Sequence, residues 1–91
     1  MKNSTKAAEK DLMKIPGVGK KTAEDLIALG YDSVESLAGE DPEDMFLRLC
    51  VMQGGSSDRC NLYVYRCAVY FAENRNKNPD PNRLLWWNWK D

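Results

Sequence analysis

The chain contains no histidine. That removes the side chain most often used as a general acid or base near neutral pH, and the commonest neutral metal ligand. Cysteine is scarce: only Cys50, Cys60 and Cys67 are present, without a Cys-x-x-Cys pair. A disulfide framework is therefore not the basis of the fold, and a zinc site would need an acidic fourth ligand. No apolar run approaches the ~20 residues that a bilayer-spanning helix requires. The opening stretch, Met1 to Lys10, is polar and lysine-bearing and lacks the apolar core of a secretory signal. The expectation is a cytoplasmic protein with no membrane partner. Net charge is only −1, which argues against binding to a polyanion through bulk charge. Strand-like alternation is absent as well.

Ninety-one residues make one small domain, which buries about 60–65% of its unfolded surface. A hydrophobic share of 43% is enough to fill such a core and argues against disorder. Charge is unevenly distributed. Residues 1–22 carry a net +4, residues 23–58 a net −8 and residues 59–91 a net +3. A positive N-terminal third beside an acidic belt can orient the domain on a polyanion, or the belt can simply keep a small protein soluble.

Caps and apolar spacing predict an all-helical chain. A first helix is expected from about Thr5 to Lys14, behind a flexible segment spanning 1–10. A second runs from Lys20 to Leu29, with Gly30 as its left-handed cap. Asp32-Ser33 predicts the start of a short helix through Ala38, closed by Gly39. Asp41-Pro42-Glu43-Asp44 combines an acidic cap, proline at the first position and acids against the dipole. The helix that follows carries Met45, Phe46, Leu49 and Met52 at helical spacing. Gly54-Gly55 ends it, and the longest helix is expected from Asp58 to about Asn74. That helix has Cys60, Val64, Cys67 and Phe71 along one stripe. A turn-rich segment with Pro79 and Pro81 leads to a short apolar piece, Leu84 to Trp89.

The most telling segment is Ile15-Pro16-Gly17-Val18-Gly19-Lys20-Lys21-Thr22. Two glycines let the backbone bend, and a helix start follows at once, with its unpaired N–H groups and positive dipole end. Lys20 and Lys21 add full charges. This is a device for gripping an anion. The candidate phosphate-binding residues are Gly17, Val18, Gly19, Lys20, Lys21 and Thr22, with the amides of Val18 to Lys20 facing the phosphate. Lys14 is a candidate rim contact.

The segment resembles the helix-hairpin-helix motif: Ile15-Pro16-Gly17-Val18-Gly19 and Ala23-Glu24-Asp25-Leu26-Ile27 fill its pattern without a gap. The resemblance implies sequence-independent binding of a DNA backbone. It also implies an all-α, five- to six-helix domain of paired helix-hairpin-helix (SAM-like) type. The first hairpin would then occupy 11–30, a connector 31–40 and a second hairpin 42–74, ahead of a tryptophan-rich segment at 82–91. The second copy is degenerate. Gly54-Gly55-Ser56-Ser57-Asp58-Arg59 replaces the motif, and Asp58 sits where a phosphate would need a base. Ser57 and Arg59 remain candidate secondary contacts.

At whole-chain level the sequence is similar to small bacterial "pathogenicity locus" proteins of the Cdd type. The similarity is carried by Ile15 to Lys20, Leu49-Cys50, Asp58-Arg59-Cys60, Tyr65 to Tyr70 and Trp86 to Asp91. It implies a helix-hairpin-helix protein and no particular mechanism. The hairpin also resembles that of base-excision glycosylases, with Lys21 at their Schiff-base position. Gly39 stands where their catalytic aspartate is required, and the chain leaves no second domain to enclose a flipped base. No catalytic residue, metal ligand, cofactor or small-molecule substrate is therefore expected.

Cys60 and Cys67 are seven positions apart, two helical turns or ~10 Å, too far for a mutual disulfide. They are expected to pack as thiols. Trp86, Trp87 and Trp89 either close the core or form a partner surface, with Trp87 the most exposed. The functional expectation is weak, sequence-independent DNA binding by an accessory, non-enzymatic protein. The alternative is a protein-interaction module that uses the acidic belt and the tryptophan end, with the hairpin as scaffold.

Overall fold

Helices form where capping and periodicity place them. The computed structural model of the chain describes residues 2–90. It contains α1 (Lys2–Leu12), α2 (Lys20–Ala28), α3 (Pro42–Met52) and α4 (Cys60–Asn74), with no strand among the described residues. Met1 and Asp91, which bound the expected terminal segments, lie outside the described residues.

Helix α1 begins earlier than the sequence placed it, inside the segment expected to be flexible. No Gly or Pro interrupts Lys2 to Leu12, and Ala8 is buried. It ends at Leu12, not at Lys14, because the chain tightens there. Lys14 and Ile15 each donate to the carbonyl three residues back, Asp11 and Leu12. Helix α2 closes as the sequence predicts. Gly30 adopts φ +103°, and the Tyr31 N–H donates to the Leu26 carbonyl at 2.9 Å. For α3, the Asp41 side chain accepts from the Glu43 N–H at 2.9 Å, with Pro42 at the first position.

Two expectations change. The short third helix is a single 3₁₀ turn, Glu35–Leu37. Ser33 and Ser36 satisfy each other here: the Ser36 N–H donates to Ser33 Oγ at 3.1 Å and the Ser36 hydroxyl to the Ser33 carbonyl at 2.6 Å. The turn ends because Ala38 leaves helical geometry, at ψ 127°, and Gly39 follows at φ +82°. The C-terminal piece becomes two further 3₁₀ turns, Pro81–Leu84 and Trp86–Trp89. The described residues thus hold four α-helices, where five or six were expected.

One apolar cluster joins the elements. Leu12, Ile15, Val18, Ala23 and Leu26 of the first hairpin are buried with Val34, Leu37, Met45, Leu49, Tyr65 and Ala68. Helix α4 runs through its middle, burying Leu62, Val64, Tyr65, Cys67, Ala68 and Val69. Cys60 departs from the expected stripe and is exposed, as Met52 is on α3. All three cysteines are free thiols.

Several acidic side chains from along the chain bond within the molecule. The Val34 N–H donates to Asp11 Oδ2 at 2.8 Å, and the Gly39 N–H to Glu73 Oε2 at 2.9 Å. Tyr31 donates to Glu40 Oε1 at 2.7 Å and accepts from Arg48. Arg66 binds Glu43 of α3 through Nε and Nη2 at 3.0 and 2.9 Å, and the Trp89 carbonyl through Nη1 at 2.7 Å. These bonds fix loops and the C-terminal segment to the helices. Charge-assisted hydrogen bonds are the stronger kind, so they do more than tint the surface.

Candidate nucleic-acid interface

The hairpin turn is built by Gly17 and closed by Ile15. Gly17 adopts φ +88°, a left-handed conformation that L side chains avoid. The Val18 N–H then donates to the Ile15 carbonyl at 3.1 Å, and the Val18 side chain is buried. The Val18 amide, expected to face a phosphate, is therefore engaged within the turn. Gly19 is the N-cap of α2, in extended geometry and with no side-chain cap. The first helical bond is from the Ala23 N–H to the Gly19 carbonyl at 2.9 Å. The N–H groups of Gly19, Lys20, Lys21 and Thr22 thus precede the ladder, with the positive end of the helix dipole behind them.

The cations differ in availability. Lys20 is exposed and makes no ion pair among the described residues. Lys21 is exposed and pairs with Asp25 Oδ1 at 2.8 Å, one turn along. That hydrogen bond, and then the carboxylate's charge, raises the Lys21 pKa above the ordinary lysine value. An exposed pair of this kind is worth at most about 1 kcal/mol, so a phosphate can compete for Lys21. Lys14 pairs with Asp11 Oδ1 at 3.3 Å. Thr22 is half-buried in the first turn of α2.

The connection between α3 and α4 is chemically different. Asp58 Oδ1 accepts from the Cys60 N–H at 2.9 Å at the start of α4. The chain thereby supplies its own carboxylate cap at this helix start. That bond is the leading cause of a lowered Asp58 pKa. Ser57 Oγ accepts from Asn61 Nδ2 at 2.9 Å, and the Arg59 guanidinium lies over the Tyr63 ring at 5.8 Å. The two candidate secondary contacts are thus both engaged locally.

One contact escaped sequence reasoning. A Cβ on Gly17 would lie 2.9 Å from Trp86 Cδ1. The C-terminal segment therefore folds back onto the hairpin turn, and only the backbone of Gly17 fits beneath the indole. The segment is held by its own bonds: Trp89 Nε1 donates to the Arg83 carbonyl at 2.7 Å, and the Asp80 N–H to Tyr70 Oη at 2.9 Å. Beneath the turn, the buried Cys67 thiol lies 3.6 Å from the Arg83 carbonyl and 4.0 Å from the Pro16 carbonyl. Burial pushes this thiol up to about 11. Trp87 stands edge-on to Trp86, with ring centroids 5.8 Å apart, and is 50% exposed. The only early sign of this arrangement was the run of three tryptophans, which says nothing about where it docks.

No group of three His, Cys, Asp or Glu residues suited to a metal ion occurs among the described residues. No described helix is long and apolar enough to cross a membrane.

Over 54 residues, or 59% of this chain, the sequence is 39% identical to the DNA repair and recombination protein RadA of Haloferax volcanii. The chain spans 16% of that protein's length. No solved structure matches the chain at a significant level. A family profile described as "Pathogenicity locus" (Cdd1) matches residues 5–91, and the chain belongs to this family.

Proposed function

We propose that this protein binds the phosphate backbone of DNA weakly and without reading its sequence, as an accessory module in DNA transactions. The observation that carries the reading is the start of α2: a glycine cap without a side-chain acceptor, four leading N–H groups, and Lys20 unpaired beside them. Similarity to part of a protein named for DNA repair and recombination supports it. In this reading α1–α2 and α3–α4 are paired helix-hairpin-helix units. The first grips, and the second, whose helix start carries Asp58, serves the fold. The module is a binder in the cytoplasm and not a catalyst.

A hairpin that neutralises two or three phosphates gives a Kd of about 10⁻⁴–10⁻⁶ M at physiological salt. The test is a fluorescence-anisotropy titration of labelled duplex DNA at several salt concentrations. The expected log–log salt slope is about −2 to −3, and binding is lost in the Lys20→Glu, Lys21→Glu double variant. Absence of binding at low salt, with the wild type folded, refutes the proposal and turns the search to protein partners.

A further inference from the structure

The contact between Trp86 and Gly17 places the C-terminal aromatic pair against the turn that leads into the proposed phosphate site. Trp86 is partly buried there and packs on the core. Trp87, edge-on to it, is the one tryptophan among the exposed large hydrophobic side chains. Its neighbours are immobilised. Trp89 is fixed by its indole bond to Arg83 and by its carbonyl bond to Arg66, and it packs on Tyr70 with centroids 5.7 Å apart. The result is a half-exposed indole next in sequence to Trp86, the residue that covers the Gly17 turn, and flanked by held neighbours. Little conformational entropy is lost when a flat ligand settles on it.

A strand whose phosphate sits on the α2 amides carries its neighbouring bases past this ring. Bases within a duplex are already stacked on one another and are not available to it. Unpaired bases are, and every base has a face suited to an indole. We propose that Trp87 is a nucleobase-stacking platform, which makes single-stranded nucleic acid the preferred ligand of this hairpin. The inference rests on the phosphate-gripping reading above and adds the class of strand. It also accounts for a large aromatic ring left half in water beside a glycine turn.

The experiment compares three probes of equal length with the full chain at low salt: oligothymidylate, an abasic strand with the same phosphates, and a duplex. The expected result is that oligothymidylate binds about 5- to 150-fold more tightly than the abasic strand. It also quenches part of the tryptophan emission, which the abasic strand does not. Trp87→Ala brings oligothymidylate down to the abasic level, leaves the abasic and duplex affinities within twofold, and abolishes the differential quench. Trp87→Phe retains part of the preference. Equal wild-type affinities for oligothymidylate and the abasic strand overturn the stacking proposal without using any variant. Abasic binding that disappears in Lys20→Glu, Lys21→Glu would then still uphold the grip. Conversely, tryptophan-dependent binding of oligothymidylate that is insensitive to the lysine substitutions overturns the grip, and with it this inference.

Discussion

Replacing Gly17 by alanine tests the junction on which both proposals depend. Two costs add at this position. The first is conformational. At φ +88° an alanine Cβ crowds the following carbonyl, at a cost of about 1–2 kcal/mol. The second is steric. The new methyl would lie 2.9 Å from Trp86 Cδ1, well inside the ~3.5–4.0 Å of ordinary carbon contact. Trp86 is a rigid ring packed on the core and cannot yield without disturbing it, which adds about 1–2 kcal/mol. The expected loss is therefore about 2–4 kcal/mol, or a fall in Tm of about 8–30 °C for a domain of this size. Thermal and urea unfolding followed by circular dichroism give the number.

Gly30→Ala is the internal control. It also has positive φ, at +103°, but a Cβ there meets nothing within 4 Å. It is expected to cost only the conformational term. In a Trp86→Ala background, Gly17→Ala is likewise expected to cost only that term, giving a coupling of about 1–2 kcal/mol in the double-mutant cycle. A Gly17→Ala loss no larger than that of Gly30→Ala, or zero coupling to Trp86, refutes the docking of the C-terminal segment on the turn.

Asp41→Ala removes the acceptor for the Glu43 N–H and is expected to destabilise the domain by about 1 kcal/mol in urea unfolding. Tyr65 is fully buried and its hydroxyl has no hydrogen-bond partner among the described residues. Tyr65→Phe is therefore expected to leave stability unchanged or raise it by up to ~1 kcal/mol, and a clear loss would show that the hydroxyl is satisfied after all. The Val34 N–H, foremost, holds the Asp11 carboxyl below its ordinary value of 3.8, with burial opposing and Lys14 assisting. A depressed folded pKa contributes stability above pH 3.8 that is lost as pH falls through the folded value. The stability gap between wild type and Asp11→Asn should therefore close below about pH 4 in acid titrations followed by circular dichroism.

The parts legible in sequence were those governed by near neighbours. Gly30 after an amphipathic run, Asp41-Pro42 before one, and the Leu12, Ile15, Val18, Ala23, Leu26 spacing each encode a local constraint with one low-energy solution. The close of α2, the start of α3 and the hairpin's buried frame follow from them. The length of the third element is not legible, because a cap signal states where a helix starts but not whether enough residues follow. Ser33 and Ser36 close on each other within one turn. That the turn takes up the Val18 N–H is not legible, because a glycine-rich run does not say which of its N–H groups the turn itself consumes.

The sequence alone determines an all-helical chain and a glycine turn that opens into a cationic helix start. These depend on dihedral preferences and on spacing within a few residues. Tertiary structure alone decides that Trp86 covers Gly17 and that Cys67 lies beneath Pro16. It likewise decides that Asp11, Glu43 and Glu73 bond to loops and helices distant in the chain. Each of these contacts joins residues far apart in the chain. Their formation depends on how the helices pack around α4, which no local pattern encodes.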